Sequence, residues 1–335
     1  VPATALDVAR LAGVSTATVS RVLNGARKVT PDSDRVVREA AAALDYRPNE
    51  VGRALRKQAT RVIGMVVPRV DNPFFPSVVQ AAEERLRSMH YALLLCTSED
   101  DPEFEAETVE MLISRQVEGL LVSPCSTDVS GPTIDAAARR VPLVQIDRSV
   151  REPRWDYVGV DDDAGIRDVV RHVVERGARR IAYVGGSLDS WSGQTRADAF
   201  AAAARELGLD EVSVHHGSFD ETWGNRAGDE LLRSDRRPDA IVTANDLIAL
   251  GVLQAARRAG VDVPSQLLVT GYDDIRFARL SVPPLTTVRQ PLEDLTHEAI
   301  DLLMARIEDR QRPLTRRFLP VELVSRESTA APARV

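Results

Sequence analysis

The sequence predicts an α/β protein with an N-terminal all-α headpiece and a two-lobed body that contains two parallel sheets. In the first 46 residues, apolar positions recur at helical spacing. From residue 61 onward, short apolar, β-rich runs alternate with amphipathic segments, and this series occurs twice. Fully apolar strands that alternate with helices are typical of parallel sheets covered on both faces. A chain of 335 residues is long enough for two or three domains.

The first predicted element is a pair of short helices joined by a tight turn, within residues 4–24. We expect Thr4 to cap the first helix, with Asp7 reaching back to the cap. Gly13 should end that helix, because glycine tolerates the left-handed backbone of a tight turn. Ser15 should cap the second helix. The positions expected to be buried are Val8, Leu11 and Ala12 in the first helix and Val19, Val22 and Leu23 in the second.

The outward face of the second helix has the composition of a DNA-reading surface. Its small residues Thr16, Ala17 and Ser20 would let the helix enter a major groove closely, and Arg21 would reach a guanine edge. This layout predicts a helix-turn-helix, although an ordinary helical hairpin would show the same spacing. A third helix is predicted over residues 31–46, with Pro31 in its first turn.

Charge is distributed unevenly along the chain. The net charge is −7, but residues 1–61 hold 11 Lys+Arg against 6 Asp+Glu, which leaves the remainder strongly acidic. Affinity for nucleic acid depends on local positive charge that meets phosphate. The N-terminal end is therefore the expected DNA-binding part, with a random fluctuation of surface charge as the alternative explanation.

The body should carry two sets of four strands. The first set is predicted at 62–68, 92–96, 117–122 and 141–146, and, after a link near 157–162, the second at 180–184, 212–215, 240–243 and 267–271. A helix from 291 to about 310 and an apolar run at 318–324 follow. Ligands of parallel sheets bind beyond the carboxyl ends of the strands, so two facing lobes predict a binding cleft there.

Polar and aromatic side chains follow the strand ends of both lobes. Aromatic rings can stack on the C–H faces of a sugar, while carboxylates, amides and guanidinium groups serve its hydroxyls. The strand ends therefore predict a sugar site. They carry Asp71, Asn72, Phe74, Phe75, Asp147 and Arg148 in the first lobe, and Ser190, Trp191, Ser192, Arg196, Phe219, Trp223, Asn245, Asp246, Asp273 and Gln290 in the second lobe and at its crossover.

Motifs along nearly the whole chain resemble the LacI/GalR (lactose-repressor) family of bacterial transcription regulators, in the family's order and spacing. They are DVARLAGVSTATVSRVLNG at 7–25, YRPN at 46–49, RALR at 53–56, VVPRVDNPFF at 66–75, VPLVQIDR at 141–148, VGVDDDAG at 158–165, RRIAYVGG at 179–186, TANDLIALG at 243–251, VTGYDD at 269–274 and LTTVRQP at 285–291.

This resemblance implies a homodimeric, sequence-specific DNA-binding regulator, most often a repressor, that binds a pseudo-palindromic operator. It implies a helix-turn-helix domain at 1–47, a hinge helix at 48–60, and a type I periplasmic-binding-protein-like body at 61–335 for effector binding and dimerisation. The first lobe would span about 61–160 and 292–320, and the second about 161–290. The expected DNA contacts are Thr4, Ser15, Thr16, Ala17, Thr18, Ser20, Arg21, Asn24, Tyr46, Asn49, Arg53 and Leu55, the last as a wedge in the minor groove.

The resemblance also assigns effector contacts in the cleft. Some of these residues have an alternative interpretation. Phe75 could belong to the core, and Asp147 with Arg148 could form a surface ion pair. Asp246 is expected to cap a helix. Ser190 and Ser192 join the set from their strand-end position, and Trp191 and Trp223 are suggested by local position alone. The effector residues implied by the family are Asn72, Phe74, Phe75, Asp147, Arg148, Arg196, Phe219, Asn245, Asp273 and Gln290.

Other functional classes find less support. The sequence lacks the common nucleotide-binding, serine-hydrolase and zinc-protease motifs, so we expect no enzyme, and it indicates neither a cofactor nor a metal. No signal peptide or membrane span is visible, and two cysteines form no disulfide framework, which favours a cytoplasmic protein. The remaining alternatives are a regulator that responds to a purine or a sugar phosphate, a sugar-binding protein without a DNA role, and a sugar-acting enzyme. Purine-binding members of the family place an arginine where this chain has Ser190, which lowers the purine alternative.

Overall fold

The computed structural model describes residues 3–23, 29–46, 60–152 and 154–330. The chain divides into two compact units, Val1–Thr60 and Arg61–Val335. The predicted fold class is confirmed: the described residues of the first unit form three helices, and those of the second form parallel sheets with flanking helices. None of the helices in these described ranges has the length and apolar character needed to cross a bilayer.

The first unit is a small helical domain of α1 (Ala5–Ala12), α2 (Thr16–Leu23) and α3 (Pro31–Ala43). Thr4 and Asp7 form the predicted reciprocal cap of α1. Gly13 ends α1 with a left-handed φ of 64°. The shared core contains Val8, Ala9, Val19, Val22, Val37, Ala40 and Ala41.

The prediction that Leu11 is buried was wrong, since its side chain is 58% exposed. A helix advances 100° per residue, so Leu11 lies about 60° to one side of Val8 while Ala9 lies about 100° to the other. Val8 and Ala9 are both buried. The core direction therefore falls between Val8 and Ala9, and Leu11 points away from it.

The first lobe of the body is built on a six-stranded parallel sheet, in the order β11-β5-β4-β3-β1-β2. Its strands are β1 (Val62–Val67), β2 (Ala92–Thr97), β3 (Gly119–Val122), β4 (Leu143–Ile146), β5 (Asp156–Val160) and β11 (Arg316–Leu319). Helices α4 (Phe74–Ser88), α5 (Pro102–Ser114), α6 (Gly131–Arg140) and α11 (Leu292–Glu308) belong to this lobe. The expected link near 157–162 was wrong, because β5 is a fully buried strand of this sheet.

The second lobe is built on a four-stranded parallel sheet, in the order β7-β6-β8-β9. Its strands are β6 (Arg180–Gly185), β7 (Glu211–His216), β8 (Ala240–Thr243) and β9 (Leu268–Thr270), and its helices are α7 (Asp162–Glu175), α8 (Trp191–Glu206), α9 (Glu221–Arg233) and α10 (Asp246–Ala259). Helices α9 and α10 cross closely at Gly224 and Gly251. A Cβ atom at either glycine would collide with the backbone of the facing helix.

The end of the chain passes through both lobes. Helix α11 buries Leu295, Ala299 and Leu303 in the first-lobe core, and β11 extends the first sheet beside β5. Strand β12 (Glu322–Val324) then pairs antiparallel with β10 (Thr287–Arg289), next to the second lobe. The two short 3-10 helices of this part of the chain are Ala278–Leu280 and Glu327–Thr329.

Candidate functional site

Arg196, in the first turns of α8, organises the polar floor of the cleft. Its side chain is 3% exposed. Nε donates to Oδ1 of Asp162 at 2.8 Å, and Nη1 donates to the carbonyl oxygen of Ala244 at 2.7 Å. The guanidinium carbon also lies 3.7 Å from the ring centroid of Tyr272. These contacts hold the guanidinium in one orientation. Its donors form a rigid planar fork, so little conformational entropy is lost for each hydrogen bond that it makes.

Asp273 approaches the same guanidinium from the loop after β9. Its Oδ1 lies 3.5 Å from Nη1 of Arg196 and accepts a hydrogen bond from Nε2 of Gln290 at 2.8 Å. The backbone of Asp273 has a φ of 104°, which is unfavourable for a residue with a Cβ atom. Burial raises the pKa of Asp273 to about 7, while the Arg196 guanidinium works in the opposite direction.

Asp147 and Arg148 supply the first lobe's charged groups, directly after β4. Burial raises the pKa of Asp147 to about 6, opposed by Arg148 and Arg196. The Arg148 guanidinium carbon lies 5.6 Å from the ring centroid of Phe75 and 5.6 Å from that of Phe219. Phe75 belongs to the first lobe and Phe219 to the second, so this cation–π sandwich spans the cleft.

Asn245 caps α10, since its Oδ1 accepts the backbone N–H of Ile248 at 2.9 Å. The expectation that Asp246 caps this helix was therefore wrong. Asp246 is instead buried in the first turn and accepts hydrogen bonds from the N–H of Ile275 and the hydroxyl of Thr287. Its burial raises its pKa well above the usual range.

Two cavities lie where the sequence places the cleft. The deeper one has a volume of about 20 Å³, and all ten residues around it belong to the predicted effector set. The outer one, which we call the mouth cavity, has a volume of about 520 Å³. Four residues line both and therefore lie between them: Asn72, Phe75, Arg148 and Phe219. The other residues of the deeper cavity are Phe74, Asp147, Ser192, Arg196, Asn245 and Asp273.

Three predicted effector residues do not line the deeper cavity. Ser190 lines the mouth cavity, but its hydroxyl is occupied as the cap of α8. Gln290 lines neither cavity and reaches the site only through Asp273. Trp191 also lines neither cavity, and its ring packs edge-on against Tyr157 at 6.3 Å.

Trp223 is buried and donates its indole N–H to the carbonyl oxygen of Gly185, so the suggestion of a ligand contact was wrong. Conversely, the mouth cavity includes acidic residues that the sequence pattern did not predict. Asp100 follows β2, and Asp220 and Glu221 begin α9. Their position at further strand ends of the same edge was the available clue.

The first unit presents the predicted outward face of α2. Thr16, Ala17 and Arg21 are exposed, and Nε of Arg21 folds back to the carbonyl oxygen of Ala17 at 3.3 Å. The hydroxyl of Ser15 caps α2 by accepting the N–H of Thr18 at 3.1 Å. Thr18 and Ser20 are half-buried, as is Tyr46 against the helical core, and Thr4 serves the α1 cap. The further predicted contacts Asn24, Asn49, Arg53 and Leu55 lie outside the described residues.

Comparison with known proteins identifies the family. Residues 4–49 match the model of the bacterial regulatory proteins of the lacI family, and residues 170–329 match the periplasmic binding protein-like domain. The chain is 35% identical to the HTH-type transcriptional repressor PurR of Glaesserella parasuis serovar 5 (strain SH0165), over 97% of this chain and 98% of that protein. The chain belongs to the lacI family of bacterial regulatory proteins. As a lacI-family member it is a DNA-binding transcriptional regulator, as its motifs predicted.

Further relatives of this lacI-family regulator have the same architecture over nearly the full length. The ribose operon repressor of Escherichia coli (strain K12) is 35% identical over 91% of this chain and 93% of its own. The crystal structure of the lac repressor dimer bound to operator and the anti-inducer ONPF superposes with a TM-score of 0.92, at 28% identity. That match covers 99% of this chain and 100% of the lac repressor chain.

Proposed function

We propose that this regulator represses transcription as a homodimer and that a small sugar at the floor of the cleft controls its affinity for the operator. The observation that carries the proposal is the deeper cavity, where ten residues from both lobes converge. A ligand held by both lobes couples their relative position to its own binding free energy. The regulator would act in the cytoplasm, where bacterial DNA is accessible to it.

The chemistry of the floor supports a sugar. Phe75 and Phe219 offer ring faces, and Asp147, Arg148 and Asp273 offer acceptors and donors at the same place. A polyol needs both kinds of hydrogen-bonding partner together with apolar surface for its C–H groups. A relative of matching length is a ribose operon repressor, which also favours a small sugar.

The position of Arg148 supports coupling between ligand and lobe movement. The deeper cavity, at about 20 Å³, holds little more than one water molecule, whereas the mouth cavity has about 520 Å³. A sugar is larger than the deeper cavity, so its binding beside Asp273 and Arg196 must displace part of the lining, and Arg148, Phe75 and Phe219 separate this cavity from the mouth cavity. Because these three side chains span the two lobes, their movement changes the contact between the lobes.

Exposed apolar side chains of the second lobe support the homodimer. Leu280 and Val282 are 63% and 91% exposed, and Phe277 lies close to them in the chain. Three large apolar side chains exposed within six residues form the kind of surface that a partner covers. The lac repressor structure that matches this chain is a dimer.

A ligand screen coupled to operator titration tests the proposal. Neutral pentoses and hexoses, sugar phosphates and purine bases are added to the full chain, and its thermal unfolding is followed. A sugar at about 100 times its dissociation constant should add roughly 2.7 kcal/mol of stability. The stabilising sugar should also change operator affinity, and the direction of that change separates an inducer from a corepressor. Stabilisation by a purine base alone would overturn the sugar assignment.

A further inference from the structure

The linings of the two cavities carry an excess of negative charge. Seven carboxylates face three guanidinium groups, and no lysine is present among these residues. Even with the two deeply buried acids Asp147 and Asp273 protonated, five carboxylates remain against three guanidinium groups. The carboxylates are those of Asp71, Asp100, Asp147, Asp189, Asp220, Glu221 and Asp273, and the guanidinium groups are those of Arg69, Arg148 and Arg196.

Helix N-termini commonly bind phosphate, but those of the second lobe already contain an acceptor. In each of the four helices the side chain of the N-cap residue accepts one backbone N–H group of the first turn. Three of the four also carry an acidic residue in the first turn. The caps are Asp161 for α7, Ser190 for α8, Asp220 for α9 and Asn245 for α10, and the first-turn acids are Asp162 and Asp163, Glu221 and Asp246.

The arginines of the site are likewise engaged. Arg196 is satisfied by Asp162, Asp273 and a backbone carbonyl group. Arg148 lies 3.4 Å from Asp100 and 3.9 Å from Asp147, but its Nε is buried and makes no hydrogen bond. Arg148 lines both cavities, so this Nε is a buried donor left for an oxygen of the ligand.

We propose that the effector is an unphosphorylated sugar and that the acidic lining excludes its phosphate ester, so that the regulator responds to the sugar before a phosphoryl group is added. This inference rests on the proposed sugar response. A phosphate carries nearly two negative charges and would have to approach Asp189, Asp220 and Glu221 across the mouth cavity. Repulsion between two like unit charges about 4 Å apart costs on the order of a factor of five in affinity even in high dielectric.

Matched ligand pairs test the charge selection on the full chain. The probes are D-ribose with D-ribose 5-phosphate and D-glucose with D-glucose 6-phosphate, each accompanied by the methyl ether at the same position to control for size. Binding is measured by calorimetry. We expect the sugar of one pair to bind, its methyl ether to lose little beyond a steric effect, and its phosphate to bind at least roughly tenfold more weakly than the ether. Equal or tighter binding of the phosphate would overturn the inference and leave a sugar-based effector in place.

A charge-neutral variant sharpens the test. In Asp189→Asn with Glu221→Gln, the ratio of ether affinity to phosphate affinity should fall by roughly tenfold, while the affinity for the sugar itself stays within about twofold. The control, Asp198→Asn with Glu175→Gln, removes two charges from exposed helix positions outside both cavities and should leave the ratio unchanged. An unchanged ratio in the mouth variant would show that these carboxylates do not select the ligand. If no member of either pair binds and no other neutral sugar does, the proposed sugar response itself fails, and the inference with it.

Discussion

Nη1 of Arg196 lies 3.5 Å from Oδ1 of Asp273 with both side chains buried, and the same guanidinium holds Asp162 at 2.8 Å. One cation therefore compensates two carboxylates that come from different elements of the second lobe. Buried charges of this kind are costly to leave unpaired, even where the intact cluster adds little net stability. The floor of the cleft thus depends on one side chain for both its shape and its charge.

Removal of that cation should destabilise the body strongly. In Arg196→Ala, Asp162 and Asp273 lose their partner, and we expect the free energy of unfolding to fall by roughly 3–5 kcal/mol in urea titrations. The control is Arg171→Ala, which breaks an exposed pair with Asp168 on α7 and should cost less than about 1 kcal/mol. A loss in Arg196→Ala no larger than in the control would show that the cluster is solvated and not buried.

The raised pKa of Asp273 predicts a pH dependence of stability. Its pKa is about 7 in the folded chain, against roughly 4 when unfolded, so the folded state holds the proton more tightly. The stabilisation of the folded state by this proton is fully present below about pH 4 and is lost as the pH rises through about 7. In Asp273→Asn the loss should disappear, so that the stability difference between variant and wild type shifts by up to roughly 4 kcal/mol between pH 4 and pH 7.5.

Thermal unfolding of both proteins across this pH range measures the effect as a difference. Other carboxylates cancel in that comparison. One is Asp239, whose partial burial opposes a pKa that the backbone N–H groups of Arg180 and Arg179 and the Arg180 guanidinium lower. Parallel curves for Asp273→Asn and wild type would contradict the prediction.

The cation–π sandwich predicts a loss of effector binding on removal of one ring. Phe219→Ala deletes the second-lobe face against Arg148 and the ring surface offered to the ligand. We expect the affinity for the sugar found in the screen to fall by roughly tenfold or more, measured by calorimetry. Phe104→Ala, on an exposed ring of α5 outside both cavities, is the matched control and should bind the sugar normally. Equal affinities in the two variants would place the ligand elsewhere.

The fold was predictable from the sequence where local chemistry decides the structure. The two ends of α1 are set by neighbouring residues alone: Thr4 and Asp7 cap its start, and Gly13 ends it. The buried strands of parallel sheets are apolar along their length, so the sequence reveals them. Strand β5 was missed because its DYVGV run is short and directly precedes the acidic start of α7. It lies between β4 and the distant strand β11, and the local pattern does not reveal the pairing with β11.

The site was predictable as far as strand ends and family motifs define it. Position after a strand placed Asp147 at the carboxyl edge of the first sheet and Asp273 at that of the second, and the structure brings both to the deeper cavity. The same rule placed Trp191 in the site, but the direction of a side chain in the first turn of a helix depends on the rotation of that helix. In α8 this rotation turns the indole ring to Tyr157. Asp100, Asp220 and Glu221 of the mouth cavity were not predicted, because loop geometry determines which acidic residues after a strand face inward.

The exposed apolar segment near residue 280 predicts that charged substitutions there disrupt the homodimer. Leu280→Asp with Val282→Asp places two carboxylates where an apolar partner surface is expected, so we expect a monomer in analytical ultracentrifugation. The full chain should otherwise remain folded, because neither side chain contributes to a core. Val129→Asp changes an apolar side chain that is 61% exposed in the first lobe and serves as the control. A dimeric double variant would show that this surface is not the interface.

The exposed start of α2 predicts the residues that read DNA. Thr16 and Ala17 are exposed and, unlike Ser15, do not cap the helix, so exchanging them should leave the fold intact. The double variant Thr16→Gln with Ala17→Asn should prefer a different half-site in binding-site selection, since amide side chains favour adenine edges. Non-specific affinity at low salt should change little, because phosphate contacts supply it. If the variant prefers the same half-site as the wild type, these two positions do not read bases. Loss of all DNA binding would mean that they also position the helix on the DNA backbone.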